Sequence, residues 1–223
     1  MKKTKRLLGV IATVLLAVAI ASMATYMAAS DDSKDEFLDA FMQMEEEGAT
    51  RQIDWDALPP EVIAWVEVPG TNIDEPIVQA TPDAPNAYLY KDALGQGAYG
   101  TPYIDCDCSL DSPFTMIYGH HMSDGSVFAD FANFIDEAYA REHNRIIIYE
   151  RSGRIYDLDV IAVDLVNASC ERLVIPSPEE FNDRVDSCDL LLHISAEPSR
   201  LWAFTTCSYQ TANSRTIVFC MKV

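Results

Sequence analysis

The chain has 223 residues, enough for one domain with a short appendage, and its 49% hydrophobic content supplies a sizeable core. The net charge of −19 disfavours nucleic acid and anionic lipid headgroups as partners. All 35 acidic residues lie after residue 30, with all but four of the 16 Lys and Arg, so the acidity belongs to everything beyond the N-terminal segment.

That segment opens with Lys2, Lys3, Lys5 and Arg6, followed by an uncharged apolar run from Leu7 to Ala29. The run is long enough to span a bilayer. The positive-inside rule then makes residues 1–6 a cytoplasmic basic tail and 7–29 a transmembrane anchor. The expected location is the cell membrane, single-pass, with the remainder of the chain extracellular. A cleaved signal peptide ending near Ser22-Met23-Ala24 is the alternative. The anchor is favoured because the run continues past that site. Ser33-Lys34-Asp35-Glu36 reads as a capping box. It opens a helix with Phe37, Leu38, Phe41, Met42 and Met44 on one stripe, stopped by Gly48. Residues 30–54 are thus a helical linker, and 55–223 the folded domain.

Leu58-Pro59-Pro60 marks a break, followed by one helical turn into Trp65 and a strand Val66–Val68. Pro69 to Asn72 form a turn. Ile73–Gln79 is extended, with Pro76 confining it to an edge or a strand start. Thr81–Asn86 is a Pro-rich loop, and Leu94–Gly100 holds three Gly in an irregular connection. Strands Tyr103–Asp105 and Phe114–Tyr118 flank a loop carrying Cys106 and Cys108. Ser123 or Asp124 caps a helix that places Phe128, Phe131, Ala132, Ile135 and Tyr139 on one face. Arg145–Glu150 and Arg154–Val166 form a hairpin around Ser152-Gly153. Ser177-Pro178-Glu179-Glu180 starts a helix that buries Phe181, Val185 and Cys188. Leu190–Ile194 extends that helix or forms a short strand. Leu201–Thr206 and Arg215–Val223 are strands joined by a polar loop, Ser208–Ser214. About eight short strands with inserted helices predict a mostly β, closed, largely antiparallel barrel.

The chemistry concentrates in that last hairpin. If its strands pair, Cys207 and Arg215 face each other across one strand end. A thiol attacks as its thiolate, which a nearby cation favours, and a guanidinium can hold the oxyanion formed on attack at a carbonyl. The proton carrier comes from four His. His120 and His121 follow the strand Phe114–Tyr118 after Gly119. His143 reads as a surface residue and His193 as core. The order His, Cys, Arg differs from papain-like enzymes, whose CGSCW signature is missing from the sequence. Six Cys form no complete disulfide framework if Cys207 is free, since five remain. Cys106 and Cys108 point to opposite faces of an extended segment and pair poorly. With distant His they make a poor zinc site, and neither metal nor cofactor is expected. Cys220 is core, and Cys170 and Cys188 are a candidate pair.

Two segments, MIYGHHMSDGSVFADF and TTCSYQTANSRTIVF, resemble class B sortases, cysteine transpeptidases of Gram-positive cell surfaces. IAWVEVPGTNIDEPIVQ and AYLYKDALGQGAYGTPYID resemble the same family's earlier strands, so the likeness covers about Trp55 to Val223. It implies a sortase β-barrel, with the helix after Ser177 as the class B insertion. The motif, not the spacing, selects His120 over His121. It also implies a mechanism. Cys207 attacks a carbonyl in an NPxT-like C-terminal sorting signal of a secreted protein, Arg215 stabilises the oxyanion, and His120 protonates the leaving amine. An amine then resolves the thioacyl enzyme; it comes from a peptidoglycan precursor (lipid II-like) or a pilin lysine. Thr206, Ser208, Tyr209 and Ser214 are candidate substrate-binding residues, with Asn213 beside them. The partners implied are therefore secreted proteins, a cell-wall amine, and the membrane through the N-terminal helix. Two positions depart from the family. His121 stands where Asn is usual, and in Ile73-Asp74-Glu75-Pro76 Glu75 replaces an aromatic residue near the barrel rim. A cysteine peptidase that hydrolyses the same intermediate, and a catalytically silent binding protein, are the alternatives.

Overall fold

The computed structural model describes residues 51–94, 99–167, 176–192, 199–208 and 213–222. Its strands are β1 (Val62–Glu67), β2 (Asp74–Gln79), β3 (Tyr103–Ile104), β4 (Phe114–Tyr118), β5 (Arg145–Glu150), β6 (Ile155–Asn167), β7 (Leu190–Leu191), β8 (Leu201–Ser208) and β9 (Ser214–Lys222). They hydrogen-bond in the order β5-β1-β2-β3-β4-β8-β9-β6-β7, and β5 also pairs with β6, which closes the first eight into a barrel. Closure depends on β6. Residues 155–159 pair with β5, while 158–167 pair with β9 across a register shift at Val160/Ala162. Such a bulge bends and twists a strand, which lets one long strand turn a barrel corner. β7 takes the same edge of β6 as β5, further along, at Ala162 and Val163.

Most pairings are antiparallel, but β2–β3 and β4–β8 are parallel. The second of these decides where the chemistry lies. β4 and β8 end at the same rim, and β9, antiparallel to β8, begins there. Strand patterning follows burial. β1 alternates buried and half-buried residues, with one face inward. β8 is buried from Leu201 to Thr206, on both faces. In the segment between β4 and β5, Phe128, Phe131 and Phe134 are fully buried in the same core as the strands, and Phe131 stacks on Phe204 of β8 with ring centroids 5.2 Å apart.

The aromatic segment differs from the single helix expected. Ala129–Ile135 is a 3₁₀ helix, and a separate helix α1 runs Glu137–Glu142. Phe128, Phe131 and Phe134 recur at i, i+3, the 3₁₀ repeat. Asp136 breaks the run because its extended backbone makes it an N-cap, accepting from the Ala138 and Tyr139 amides at 2.9 and 3.1 Å. Asp124 does not cap a helix; its Oδ1 accepts from the amide and hydroxyl of Ser126. Trp65 lies in β1, not after a helical turn. The expected helix after Ser177 is present as a 3₁₀ turn (Pro178–Glu180) leading into α2 (Phe181–Asp186), with both halves of its capping box. Pro76 pairs with Trp65 on one side. On the other, β3 engages only Val78 and Gln79, so the missing amide costs no ladder bond there. The Arg151 guanidinium donates to the carbonyls of Trp55, Leu58, Pro59 and Val62, pinning the segment that enters β1.

Asp54–Val223 packs as one unit. The single-pass membrane location expected from the sequence is corrected: among the described residues no helix is long and apolar enough to cross a membrane. The stretch 7–29, the helix expected after Ser33, Cys170, His193 and Tyr209 lie outside the described residues.

Candidate active site

Cys207 is the one exposed residue of β8, while every other position of that strand is buried. Free cysteines are usually among the most buried side chains, so this placement is unusual. Cys207 pairs directly with half-buried Arg215 across the β8–β9 ladder. Beyond them Ser208 and Ser214 close the hairpin. The Ser208 hydroxyl donates to Ser214 Oγ at 2.9 Å, and Ser214 Oγ donates to the Ser208 carbonyl at 2.9 Å. Asn213 supplies the left-handed residue of the turn, with φ 59°, a conformation Asn tolerates better than most.

The parallel neighbour brings the histidines. Tyr118 pairs with Thr205, and the Gly119 amide donates to the Thr205 carbonyl at 3.0 Å, extending the ladder one residue past β4. Gly119 is required there, because a Cβ would lie 2.3 Å from the Phe128 ring. His120 then turns into the cleft. Its Nε2 donates to the carbonyl of Leu89, and its ring lies 5.7 Å from that of Tyr90. A carbonyl only accepts, so Nε2 carries a proton and Nδ1 is the nitrogen left to exchange one. His121 Nδ1 donates to the Cys207 carbonyl at 2.8 Å, tying the strand end carrying the thiol to the histidine loop. Val127 bridges back to His121, and the Phe128 amide donates to the His120 carbonyl at 2.9 Å.

A cleft of about 450 Å³ gathers His120, Cys207, Arg215 and Thr206, with Leu89, Tyr90, Tyr103, Asp105 and Tyr118 also on its walls. The sequence-predicted trio thus shares one cavity. Thr206 borders it with a buried hydroxyl. Ser208 and Ser214 are buried at 2% exposure, their hydroxyls engaged with each other. Tyr103, Asp105 and Tyr118 were not singled out as site residues; the signal was their place in the TPYID and FTMIY strands beside the histidines. Tyr118 donates to Asp105 Oδ2 at 3.0 Å. Burial, then Asp105, push its phenol far above the ordinary range, so it stays protonated. Burial also raises Tyr103, helped by Asp105 and Cys207 and opposed by Arg215. A larger cavity of about 740 Å³ lies beside α2; it is lined by Asp164, Glu180, Asp183, Arg184 and Asp189 among others, and offers no thiol or imidazole. Asp105, Cys106 and Asp107 place one ligand atom each within 4.8 Å. Two Asp105 oxygens are already taken, by Tyr118 and the Asp107 amide.

No protein-family model matches the chain. Sortase B of Listeria monocytogenes is 32% identical over 114 residues, 49% of this chain and 45% of that protein. The matched region therefore spans less than half of that relative. Among solved structures, Clostridium perfringens sortase B superposes with a TM-score of 0.63 at 24% identity, covering 74% of this chain and 94% of that one. A Streptococcus pyogenes class B sortase involved in pilus biogenesis gives 0.64 at 24%, covering 75% and 97%. The chain has the sortase fold, and its likenesses in sequence and structure are to class B sortases.

Proposed function

We propose that this chain, similar to class B sortases in sequence and fold, is a cysteine transpeptidase whose catalytic domain is residues 55–223. The observation that carries the reading is Cys207: the one exposed residue of a buried strand, cross-paired with a guanidinium, beside a histidine delivered by the parallel neighbour.

Cys207 Sγ attacks a backbone carbonyl in the C-terminal sorting signal, NPxT-like, of a secreted protein. Arg215 donates to the oxyanion as the carbonyl becomes tetrahedral. His120, protonated at both nitrogens, gives the Nδ1 proton to the departing amine and remains anchored through Nε2 to Leu89. A thioester to Cys207 results. His120 then accepts a proton from an incoming amine, which attacks the thioester, forms the new amide and releases the thiolate. That amine belongs to a peptidoglycan precursor or a pilin lysine. Tyr90, exposed at the cleft, meets the peptide, while Thr206 forms part of the wall beneath it with its hydroxyl buried. Two observations support His120 over His121 as the acid–base group: His120 lines the cleft, whereas His121 Nδ1 is committed to the Cys207 carbonyl.

The test is cleavage of a quenched sorting-signal peptide by the full-length chain. Wild type should cleave it, with Cys207→Ala and His120→Asn at background. Cleavage by Cys207→Ala would remove the thiol from the mechanism.

A further inference from the structure

The cleft carries opposite charges at its two ends. Cys207 and Arg215 stand at its rim, and Asp105 is the only carboxylate among the described residues of its wall. The strand register gives the distance between them. Tyr103, Tyr118 and Thr205 are level across β3, β4 and β8. Cys207 is two residues from that level towards the rim. Asp105 is two residues the other way, its amide donating to the Met116 carbonyl at 2.9 Å. At about 3.3 Å per residue and about 4.8 Å per strand spacing, the two Cα atoms are about 16 Å apart.

The carboxylate is fixed in place. Its Oδ1 accepts from the Asp107 amide at 2.9 Å and its Oδ2 from the Tyr118 hydroxyl at 3.0 Å. The Asp105 carbonyl accepts from the Cys108 amide at 3.0 Å and from Gln79 Nε2 at 3.2 Å, which holds the turn that carries it. An ionised carboxylate has about four acceptor sites, so each oxygen can still take another donor. The ring of Tyr118 adjoins it, with that of Tyr103 5.4 Å further on. A carboxylate beside aromatic rings is the chemistry that receives an ammonium or a guanidinium.

We infer that Asp105 is a specificity residue: it binds a basic side chain, Lys or Arg, in the half of the sorting signal that stays on the enzyme as the acyl group. The inference rests on the transpeptidase reading. The reacting amine is not its ligand, because that nitrogen must meet the thioester carbon at Cys207, at the other end of the cleft. The acyl half starts at that carbon and has the length of the cleft to follow. An extended peptide spans about 3.3 Å per residue, so the separation corresponds to about five residues of backbone, less what the two facing side chains bridge. The basic side chain therefore belongs at the variable position of an NPxT-like signal or at the residue directly before the motif.

The test gives the full-length chain quenched sorting-signal peptides that differ only at those two positions, bearing Lys, Gln or Glu. Wild type should favour Lys over Glu by about tenfold or more in kcat/KM, the least that a hydrogen bond to a charged group is worth. Fluorescence anisotropy of the same peptides on the Cys207→Ala chain should give the same order in Kd, with no turnover needed. Asp105→Asn, which keeps an acceptor oxygen but no charge, should erase the preference in both measurements. A purely structural Asp105 would instead weaken all the peptides alike and leave their ratio unchanged. A wild-type chain that treats Lys and Glu peptides equally, or a preference that survives Asp105→Asn, overturns the inference while leaving the transpeptidase reading intact. Failure of that reading shows separately, as a wild-type chain that binds the Lys peptide selectively and cleaves none.

Discussion

Gly119→Ala tests how the fold delivers the histidine. The added methyl would sit 2.3 Å from Phe128 Cδ2, 2.4 Å from Cγ and 2.9 Å from Cε2. Non-bonded carbons settle at about 3.5–4.0 Å, so the ring and the backbone must part by roughly 1.2 Å or more. The ring has no easy escape. It is fully buried, edge-on to Phe131 at 4.8 Å and 6.2 Å from Phe204. The backbone is tied too, with the Gly119 amide on the Thr205 carbonyl and the Phe128 amide on that of His120. Overpacking costs about 1–3 kcal/mol, and a site confined from both sides belongs at the top of that range, about 3 kcal/mol. Any relief by backbone motion displaces His120, so activity should fall with stability. The assay is urea unfolding of the single variants and of Gly119→Ala/Phe128→Leu, with peptide cleavage alongside. The double variant should be less destabilised than the sum of the singles. An Ala variant within about 0.5 kcal/mol of wild type, the ordinary range for a harmless surface change, would refute the reasoning.

Three further outcomes are expected. His120→Asn should lose about 10²–10⁴-fold in cleavage rate, the usual worth of general acid–base catalysis, while His121→Asn keeps most of its rate; steady-state kinetics in the reverse order would reassign the proton carrier. Arg215→Lys should fold normally yet lose much of its rate, since an ammonium lacks the planar fork, and removing one oxyanion donor costs roughly 2.7–4 kcal/mol of transition-state stabilisation; a Lys variant with full turnover would reduce Arg215 to a counter-charge. Glu75 is raised from 4.5 to about 7 in the folded chain, chiefly by burial, so its stabilising contribution is complete below 4.5 and lost as pH rises through 7. Wild type should therefore lose stability relative to Glu75→Gln between pH 5 and 8 in urea titrations, and a pH-independent difference would contradict that shift.

The hairpin that pairs Cys207 with Arg215 was legible because local signals agreed. An apolar β-prone run, a loop of Ser, Gln, Thr and Asn, and a second run put Cys207 opposite Arg215 without any long-range information, and the ladder bears this register out. The capping box at Ser177 was legible for the same reason. What local pattern could not supply was the parallel β4–β8 pairing, a contact between strands more than eighty residues apart in sequence. Tyr103, Asp105 and Tyr118 enter the cleft only once that pairing is known. The segment from Phe128 to Tyr139 misled because i, i+3 spacing suits a 3₁₀ helix and an α-helix equally over so short a run. Asp136, which lies between those apolar positions, caps the second helix and so ends the first. Ser208 and Ser214 looked like groove residues because polar loop side chains usually face water. Here each satisfies the other inside the hairpin.

The most direct test of the central claim is mass spectrometry of the chain mixed with a sorting-signal peptide, with and without an amine acceptor such as a glycine-rich or diamino-acid peptide. A thioester yields readily to amines and slowly to water, and the proposed mechanism assigns His120, in the same cleft as Cys207, as its acid–base group and gives no second base the task of activating water. Peptide alone should therefore leave a thioacyl adduct on Cys207 with slow hydrolysis. The acceptor should discharge the adduct, raise turnover and yield the ligated product, and Cys207→Ala should show neither species. If water instead takes nearly all of the acyl group at saturating levels of several such amines, the chain is a peptidase and the transpeptidase account is wrong.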